Sequence, residues 1–173
     1  ENVLARLALD SDASVVRAVA GNTSTPKDTL EDLAHRYSSI RLDVASNFNT
    51  DDSVLLELMR DKDDLVRCHI AENAHVPEVI MWDLARDQDK HVRWSVAHHS
   101  YNRGILNLLA DDQETDVRSR ARERIKHLTD KQKRHIEYKV GQEMLKLLDG
   151  SSGLVPVAAS EHSSDTPVLF DVV

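Results

Sequence analysis

The sequence has little of what builds disulfide frameworks, β-sandwiches or membrane spans. Cys68 is the one cysteine among 173 residues, which excludes an internal disulfide and a cysteine-based zinc or iron–sulfur site. Aromatic residues make up 4%, with five glycines and four prolines, a composition that disfavours strands joined by turns. No apolar run approaches the ~20 residues that a membrane helix requires. The single cysteine favours a reducing compartment, and we expect a cytoplasmic protein.

What the sequence does contain is aliphatic and charged residues in the proportions of a helical protein. Hydrophobic residues make up 40%, charged residues 30%, and the formal net charge is −8. The apolar share is too high for a wholly disordered chain, and the length suffices for one domain or a short repeat array. These proportions predict an all-α fold.

A repeated motif gives this helical prediction its architecture. The motif Val-Arg-x-x-Val-Ala is clearest at 92–97. Its first residue has a counterpart in five copies, which are 25, 26, 26 and 25 residues apart: Val15, Ile40, Val66, Val92 and Val117. In the first copy the same frame occurs with the arginine displaced by one, to Arg17, and the last copy, 117–122, is degraded. A fixed step of this length predicts stacked helical repeats.

Each copy predicts two short helices joined by an acidic turn. In the fourth copy Pro77 begins a helix in which Ile80, Met81 and Leu84 lie on one face. An acidic pair, Asp-x-Asp in most copies, then precedes the second helix, where carboxylates accept backbone N–H groups. An asparagine such as Asn73 ends that helix. Since no unit of this size buries its apolar face alone, we expect neighbouring copies to share one continuous core.

The full pattern resembles a known repeat family. It has the form Leu-Ala-x-Asp-x-Asp-x-x-Val-Arg-x-x-Val-Ala-x-Asn-x-x-x-Pro, which is similar to the leucine-rich repeat variant, a relative in style of the HEAT-type helical repeats. The best match runs from Leu84 to Arg103, and the resemblance covers about residues 4 to 125. It implies a right-handed α-solenoid, here of about five two-helix repeats, and no common enzymatic activity. The slightly longer period favours two α-helices per repeat and a more HEAT-like geometry.

The sequence after the repeats changes in character. We predict a helical repeat array at 1–128, a C-terminal capping helix at 129–149 with Thr129 as its N-cap, and an extended or flexible tail at 150–173. The apolar residues of the tail suggest contact with the protein's own array or with a neighbouring one.

The recurring arginines are best explained as structural. They occur once per copy beside aspartates of the same or the next copy: Arg41, Arg67, Arg93 and Arg118. Paired, charge-assisted hydrogen bonds at these positions would fix how the copies stack. A phosphate-binding role is the weaker alternative.

Second-helix positions that the repeat does not explain are better candidates for function. Equivalent positions in stacked copies lie ~8–10 Å apart, so neighbouring copies bring several such side chains together. The predicted patch consists of Leu42, Asp43, His69, Glu72, Trp94 and His98. We predict that it binds a protein or peptide, with Trp94 as the anchor and a partner of basic character, since the array is acidic. The leading hypothesis is a non-enzymatic scaffold without a cofactor.

Two other functions stay open. Residues 117–139 hold nine Lys and Arg against three Asp and Glu, whereas residues 1–116 hold 12 against 22. This basic segment is a candidate for nucleic-acid contact through Arg118, Arg120, Arg122, Arg124, Lys131 and Arg134. A metal-dependent enzyme is the second alternative, with ligands drawn from Asp43, His69, Glu72 and His98. Because no metal-binding motif supports it, we predict neither a resident metal nor a catalytic set.

Overall fold

The computed structural model describes the backbone of residues 2–148 and the side chains of residues 2–131, 134, 138, 140 and 142. Within that range it contains ten α-helices, one 3₁₀ turn at Ser38–Ile40 and no strand. The helices are α1 Val3–Leu7, α2 Ala13–Ala20, α3 Lys27–Arg36, α4 Arg41–Ser46, α5 Asp52–Leu58, α6 Asp64–Glu72, α7 Glu78–Leu84, α8 Lys90–His99, α9 Arg103–Leu109 and α10 Thr115–Leu148. The predicted all-α class is confirmed for this part of the chain. None of these helices is both long and apolar enough to cross a membrane.

The chain divides into two compact units, Glu1–Gln132 and Lys133–Val173. In the first unit α2, α4, α6 and α8 pack against one another in chain order, and each also contacts the first helix of its own copy. In the second unit the helical backbone continues to Leu148. The predicted tail at 150–173 lies outside the described residues.

The buried core follows the repeated apolar positions. In α6 and α8 the three positions of the motif that carry apolar side chains are all buried: Val66, Ile70, Ala71, Val92, Val96 and Ala97. Buried leucines of the first helices belong to the same hydrophobic core: Leu33, Leu58, Leu84 and Leu109. Each second helix therefore buries its apolar face against its own first helix and its neighbours in chain order, as the repeat predicts.

The first copy lacks an arginine at the buried motif position, as its displaced Arg17 indicates. Val16 occupies the position equivalent to Arg67 and is buried, with 3% of its surface exposed, while Arg17 is exposed. Val16 therefore takes the place that the arginine has in later copies, and the displaced Arg17 does not reach the buried position. The reason is helical geometry, because successive residues of a helix point about 100° apart and Arg17 faces away from the buried position.

Aspartates begin most of the second helices, as the acidic turns predicted. Asp12, Asp63 and Asp89 are the N-caps of α2, α6 and α8, and each accepts a backbone N–H two residues later. The copy that lacks the acidic pair has no side-chain cap, and α4 begins only after the 3₁₀ turn. The contrast shows that the aspartate determines how the second helix begins.

The helix predicted to begin at Thr129 does not begin there. Thr129 lies inside α10, and its hydroxyl donates to the Ile125 carbonyl at 2.9 Å. A threonine can satisfy its hydroxyl on the carbonyl four residues earlier as well as it caps a helix, and no glycine or proline interrupts 115–140. The prediction of Thr129 as an N-cap was therefore wrong, and the division between the compact units follows Gln132.

Candidate functional site

Three of the second helices, α4, α6 and α8, are each joined by one ion pair to the acidic turn of the next copy. We call these ion pairs the arginine–aspartate ladder: Arg41–Asp61, Arg67–Asp87 and Arg93–Asp112. Arg67 binds Asp87 through two hydrogen bonds, of 2.7 and 3.0 Å, and the Arg93 pair has the same bidentate geometry. The Arg41 pair has one such bond, of 2.9 Å, and is more exposed. The predicted arginines thus take part in joining neighbouring copies.

The aspartates of the ladder also shape their own turns. Asp112 Oδ1 accepts the Glu114 N–H at 2.8 Å while both of its oxygens bind Arg93. Burial acts to raise the pKa of the Asp112 carboxyl, but the hydrogen bonds from Arg93 and Glu114 outweigh it and hold that pKa below its ordinary value. The carboxylate therefore stays ionised and paired at neutral pH.

Arg118, the last arginine of the row, is bonded differently. Its guanidinium donates to the Asp112 carbonyl at 2.6 Å, the Gln113 carbonyl at 2.8 Å and Thr115 Oγ1 at 2.9 Å. These contacts repeat the bonds of Arg93 to the carbonyls of its own acidic turn. Since the guanidinium groups of the row are committed to protein acceptors, the structure gives no support to phosphate binding by them.

The six predicted binding residues separate into neighbouring groups rather than one cluster. Asp43 is paired with Arg17 at 3.2 Å, and Leu42 packs partly buried against the core. His69 Nδ1 lies 2.7 Å from Ser46 Oγ, a contact that joins α6 to α4. The same nitrogen lies 3.6 Å from Glu72 Oε2 within α6. Trp94 and His98 form the other group, on α8.

This separation disfavours the alternative of a metal-dependent enzyme. Among the described residues, no three His, Cys, Asp or Glu side chains come together in a group that could hold a metal ion. Asp43 is occupied by Arg17, and the ring of His98 lies against Trp94, with centroids 5.1 Å apart. Burial raises the pKa of the Cys68 thiol to about 11, so this side chain is a protonated core residue at neutral pH.

Trp94 borders a cleft between α8 and α10. Trp94 is partly exposed, and the guanidinium of Arg120 lies 5.1 Å from the centroid of its ring. Nη1 of the same arginine also binds Glu123. The cleft has a volume of about 520 Å³, and Glu114 and Asp116 add carboxylates to its lining. A fixed aromatic ring at the edge of an acidic cleft suits a ligand that has apolar and basic parts.

A second cleft occurs where a repeated asparagine is missing. Asn47 donates both amide hydrogens to carbonyls of the preceding copy, and Asn73 does the same. The next copy has His99 at this position, and a cleft of about 420 Å³ lies between Asn73 and His99. The sequence-predicted patch contributes Glu72 and His98 to this lining, but the cleft itself was not predicted, although the change from Asn to His in a regular row was the available signal.

No protein-family model matches this chain, and neither a curated protein nor a solved structure matches it. Its function therefore has to be argued from the two clefts and the residues around them.

Four of the basic residues predicted for nucleic-acid contact, the arginines within 118–124, do not share one face. Arg118 and Arg122 donate to backbone oxygens within 110–113. Arg120 and Arg124 lie instead over the aromatic rings of α8 and the loop after it. The other two basic residues of that prediction are exposed: Lys131 and Arg134. The arginines within 118–124 are thus divided between two sets of partners, which disfavours a continuous phosphate-binding surface.

Proposed function

We propose that the chain is a right-handed helical-repeat solenoid of the leucine-rich repeat variant or HEAT-like kind, and that it binds a protein partner and catalyses no reaction. The regular sequence step and the ion pairs between successive copies support the architecture. In such an array the second helices provide a surface whose irregular positions determine specificity.

Trp94 is the observation that carries the binding proposal. The repeat does not require an aromatic residue at this position, since its equivalents are Leu42, Cys68 and Ser119. The contacts with His98 and Arg120 hold the ring in place at the edge of the cleft. A partly exposed tryptophan that is already ordered loses little conformational entropy when a partner covers it, which makes it an effective anchor.

The charge around Trp94 indicates the chemistry of the partner. Glu114, Asp116 and Glu123 line the cleft with Lys90 and Arg120, so carboxylates outnumber the Lys and Arg side chains there, and the 1–116 part of the chain is strongly acidic. The partner is therefore a protein segment with an apolar residue that covers Trp94 and basic residues beside it.

The test uses peptides selected from a displayed random library on the immobilised full chain. We expect the selected peptides to combine aromatic or aliphatic residues with Lys or Arg, and Trp94→Ala to weaken their binding about tenfold or more in fluorescence polarisation. Leu65→Ala is the matched control, because Leu65 is an exposed apolar residue of α6 that does not line the cleft.

Two outcomes would contradict the proposal. One is selected peptides that bind wild type and Trp94→Ala equally well. The other is binding of a labelled DNA or RNA oligonucleotide at low salt that Arg122→Ala abolishes and Trp94→Ala leaves intact, since it would transfer the function to the basic segment.

A further inference from the structure

We propose that the cleft between Asn73 and His99 binds the guanidinium group of an arginine side chain. This inference rests on the proposed function in one respect, since the arginine belongs to the protein partner.

The asparagines form a repeated bridge between copies. Asn47 Nδ2 donates to the Ala20 carbonyl at 2.6 Å and to the Asn22 carbonyl at 2.9 Å. Asn73 Nδ2 donates in the same way to the Ala45 carbonyl at 2.9 Å and the Asn47 carbonyl at 3.0 Å. Each bridge thus satisfies two carbonyls near the end of a second helix with the two hydrogens of one planar NH₂ group.

The next bridge in the series is missing. The equivalent acceptors are the carbonyls of Ala71 and Asn73, and no hydrogen bond from His99 reaches either of them among the described residues. The Asn73 carbonyl accepts one bond, from the Val76 N–H at 3.1 Å, and the Ala71 carbonyl has no donor in the described part of the chain. Both residues are buried, at 1% and 3% exposed, and both line the cleft. The wall of the cleft therefore contains two carbonyl groups that lack the donor which the asparagine supplies in the earlier copies.

The charges of the lining favour a cationic donor. Glu72 and Glu78 both contribute carboxylates to the cleft, where Glu72 accepts a hydrogen bond from Ser95 Oγ at 3.4 Å and Glu78 accepts one from Asn102. Arg124 also borders it but is fixed elsewhere, since its Nε donates to the Ser100 carbonyl at 3.2 Å and its guanidinium lies over Tyr101. Burial and then the neighbouring His98 lower the pKa of His99, so His99 is neutral at neutral pH and does not repel a cation.

Geometry selects guanidinium among the possible cations. A terminal NH₂ of arginine is planar and carries two hydrogens, like the asparagine amide that it would replace. The ammonium of lysine is tetrahedral, and its donors do not match this pattern as closely. An amide has the right shape but not the charge that the two glutamates favour.

The experiment is an NMR titration of the full chain with the capped amino acid N-acetyl-arginine-N-methylamide. We expect saturable shifts of the backbone amides around Ala71, Asn73 and His99. The neutral citrulline analogue, which keeps the planar NH₂ group, should bind several-fold more weakly, and the lysine analogue should also bind more weakly than the arginine probe.

His99→Asn is the decisive variant, because it restores the missing bridge. It should abolish the shifts and raise the melting temperature, a combination that a merely damaged protein would not give. His75→Asn is the matched control, since it makes the same substitution in the preceding turn, outside the lining of the cleft. Glu72→Gln should weaken binding several-fold, and it keeps the test usable if His99→Asn does not fold.

The inference is overturned if wild type shows no saturable shifts, if His99→Asn binds the probe as well as wild type does, or if the lysine and arginine probes bind equally. These results leave the proposed function standing, because the peptide test reads the contribution of Trp94. Conversely, probe binding at the cleft with no effect of Trp94→Ala on peptide affinity would overturn the Trp94 proposal and keep this one.

Discussion

Two contacts between neighbouring copies differ at the positions of the ladder arginine and aspartate. One is the contact between the third and fourth copies, and the other is the contact between the first and second. Between the third and fourth, Arg67 and Asp87 are both buried and bind each other through two hydrogen bonds. Between the first and second, Val16 stands in place of the arginine, and the second copy has Arg36 and Ser38 where other copies have the acidic pair. Both partners of the ladder are absent there together.

The difference teaches that the ladder is kept or lost as a pair. A buried charge without its partner is strongly destabilising, whereas well-packed apolar residues can replace a whole buried pair at little cost. Val16 is buried among apolar residues and needs no partner. The sequence can therefore omit the ladder between two copies only by changing both of them.

The largest expected effect comes from breaking one buried pair. Asp87→Ala leaves the Arg67 guanidinium, whose side chain is 7% exposed, without its carboxylate, and should lower the free energy of unfolding by about 3–5 kcal/mol. Urea denaturation measures this loss of stability, because urea is uncharged and does not screen the ion pair. The double variant Arg67→Leu, Asp87→Leu imitates the first contact and should recover most of the loss. A double variant as unstable as Asp87→Ala would contradict the comparison.

A smaller effect is expected from acid. The pKa of Asp112 in the folded protein lies below the ordinary value of an aspartate. The ionised carboxylate therefore stabilises the fold fully at any pH above that ordinary value. This stabilisation is lost as the pH falls through the pKa of the folded state. Urea unfolding from neutral pH to about pH 3 should therefore show less loss of stability in Asp112→Asn than in wild type. Asp10→Asn is the control, since Asp10 bonds its own turn but forms no ion pair with the described residues. Equal pH slopes for wild type and Asp112→Asn would count against this role.

The smallest effect is expected at the first contact itself. Arg17 pairs with Asp43 at 3.2 Å, but its side chain is 61% exposed. Because solvent screens such a pair, Arg17→Ala should lower the free energy of unfolding by less than about 1 kcal/mol in the same urea experiment. A loss as large as that of Asp87→Ala would mean that this exposed pair, rather than Val16, replaces the ladder.

Periodicity predicted the parts of the structure that recur. The step of 25–26 residues placed Val92, Val96 and Ala97 in the core and aspartates such as Asp89 at helix starts, because these roles depend on spacing and side-chain type. Four recurring arginines were likewise predicted to pair with aspartates, and three of the four do so in the ladder.

The misses are positions where spacing alone does not determine the outcome. Thr129 is compatible with a helix start and with a helix interior, so its hydroxyl alone could not place a boundary. The cleft beside His99 depends on two backbone carbonyls, and the sequence marks it by a single change from asparagine to histidine, whose consequence for those carbonyls spacing does not give.

The sharing of one carboxylate between two tasks also bears on how the molecule unfolds. Asp87 Oδ1 accepts the Asp89 N–H of its own turn at 2.8 Å and Arg67 Nη2 of the preceding copy at 3.0 Å. Opening that turn therefore releases the neighbouring helix as well, which couples adjacent copies into one cooperative block. The first copy lacks this coupling, so its amide hydrogens are expected to exchange with solvent while the later copies remain closed.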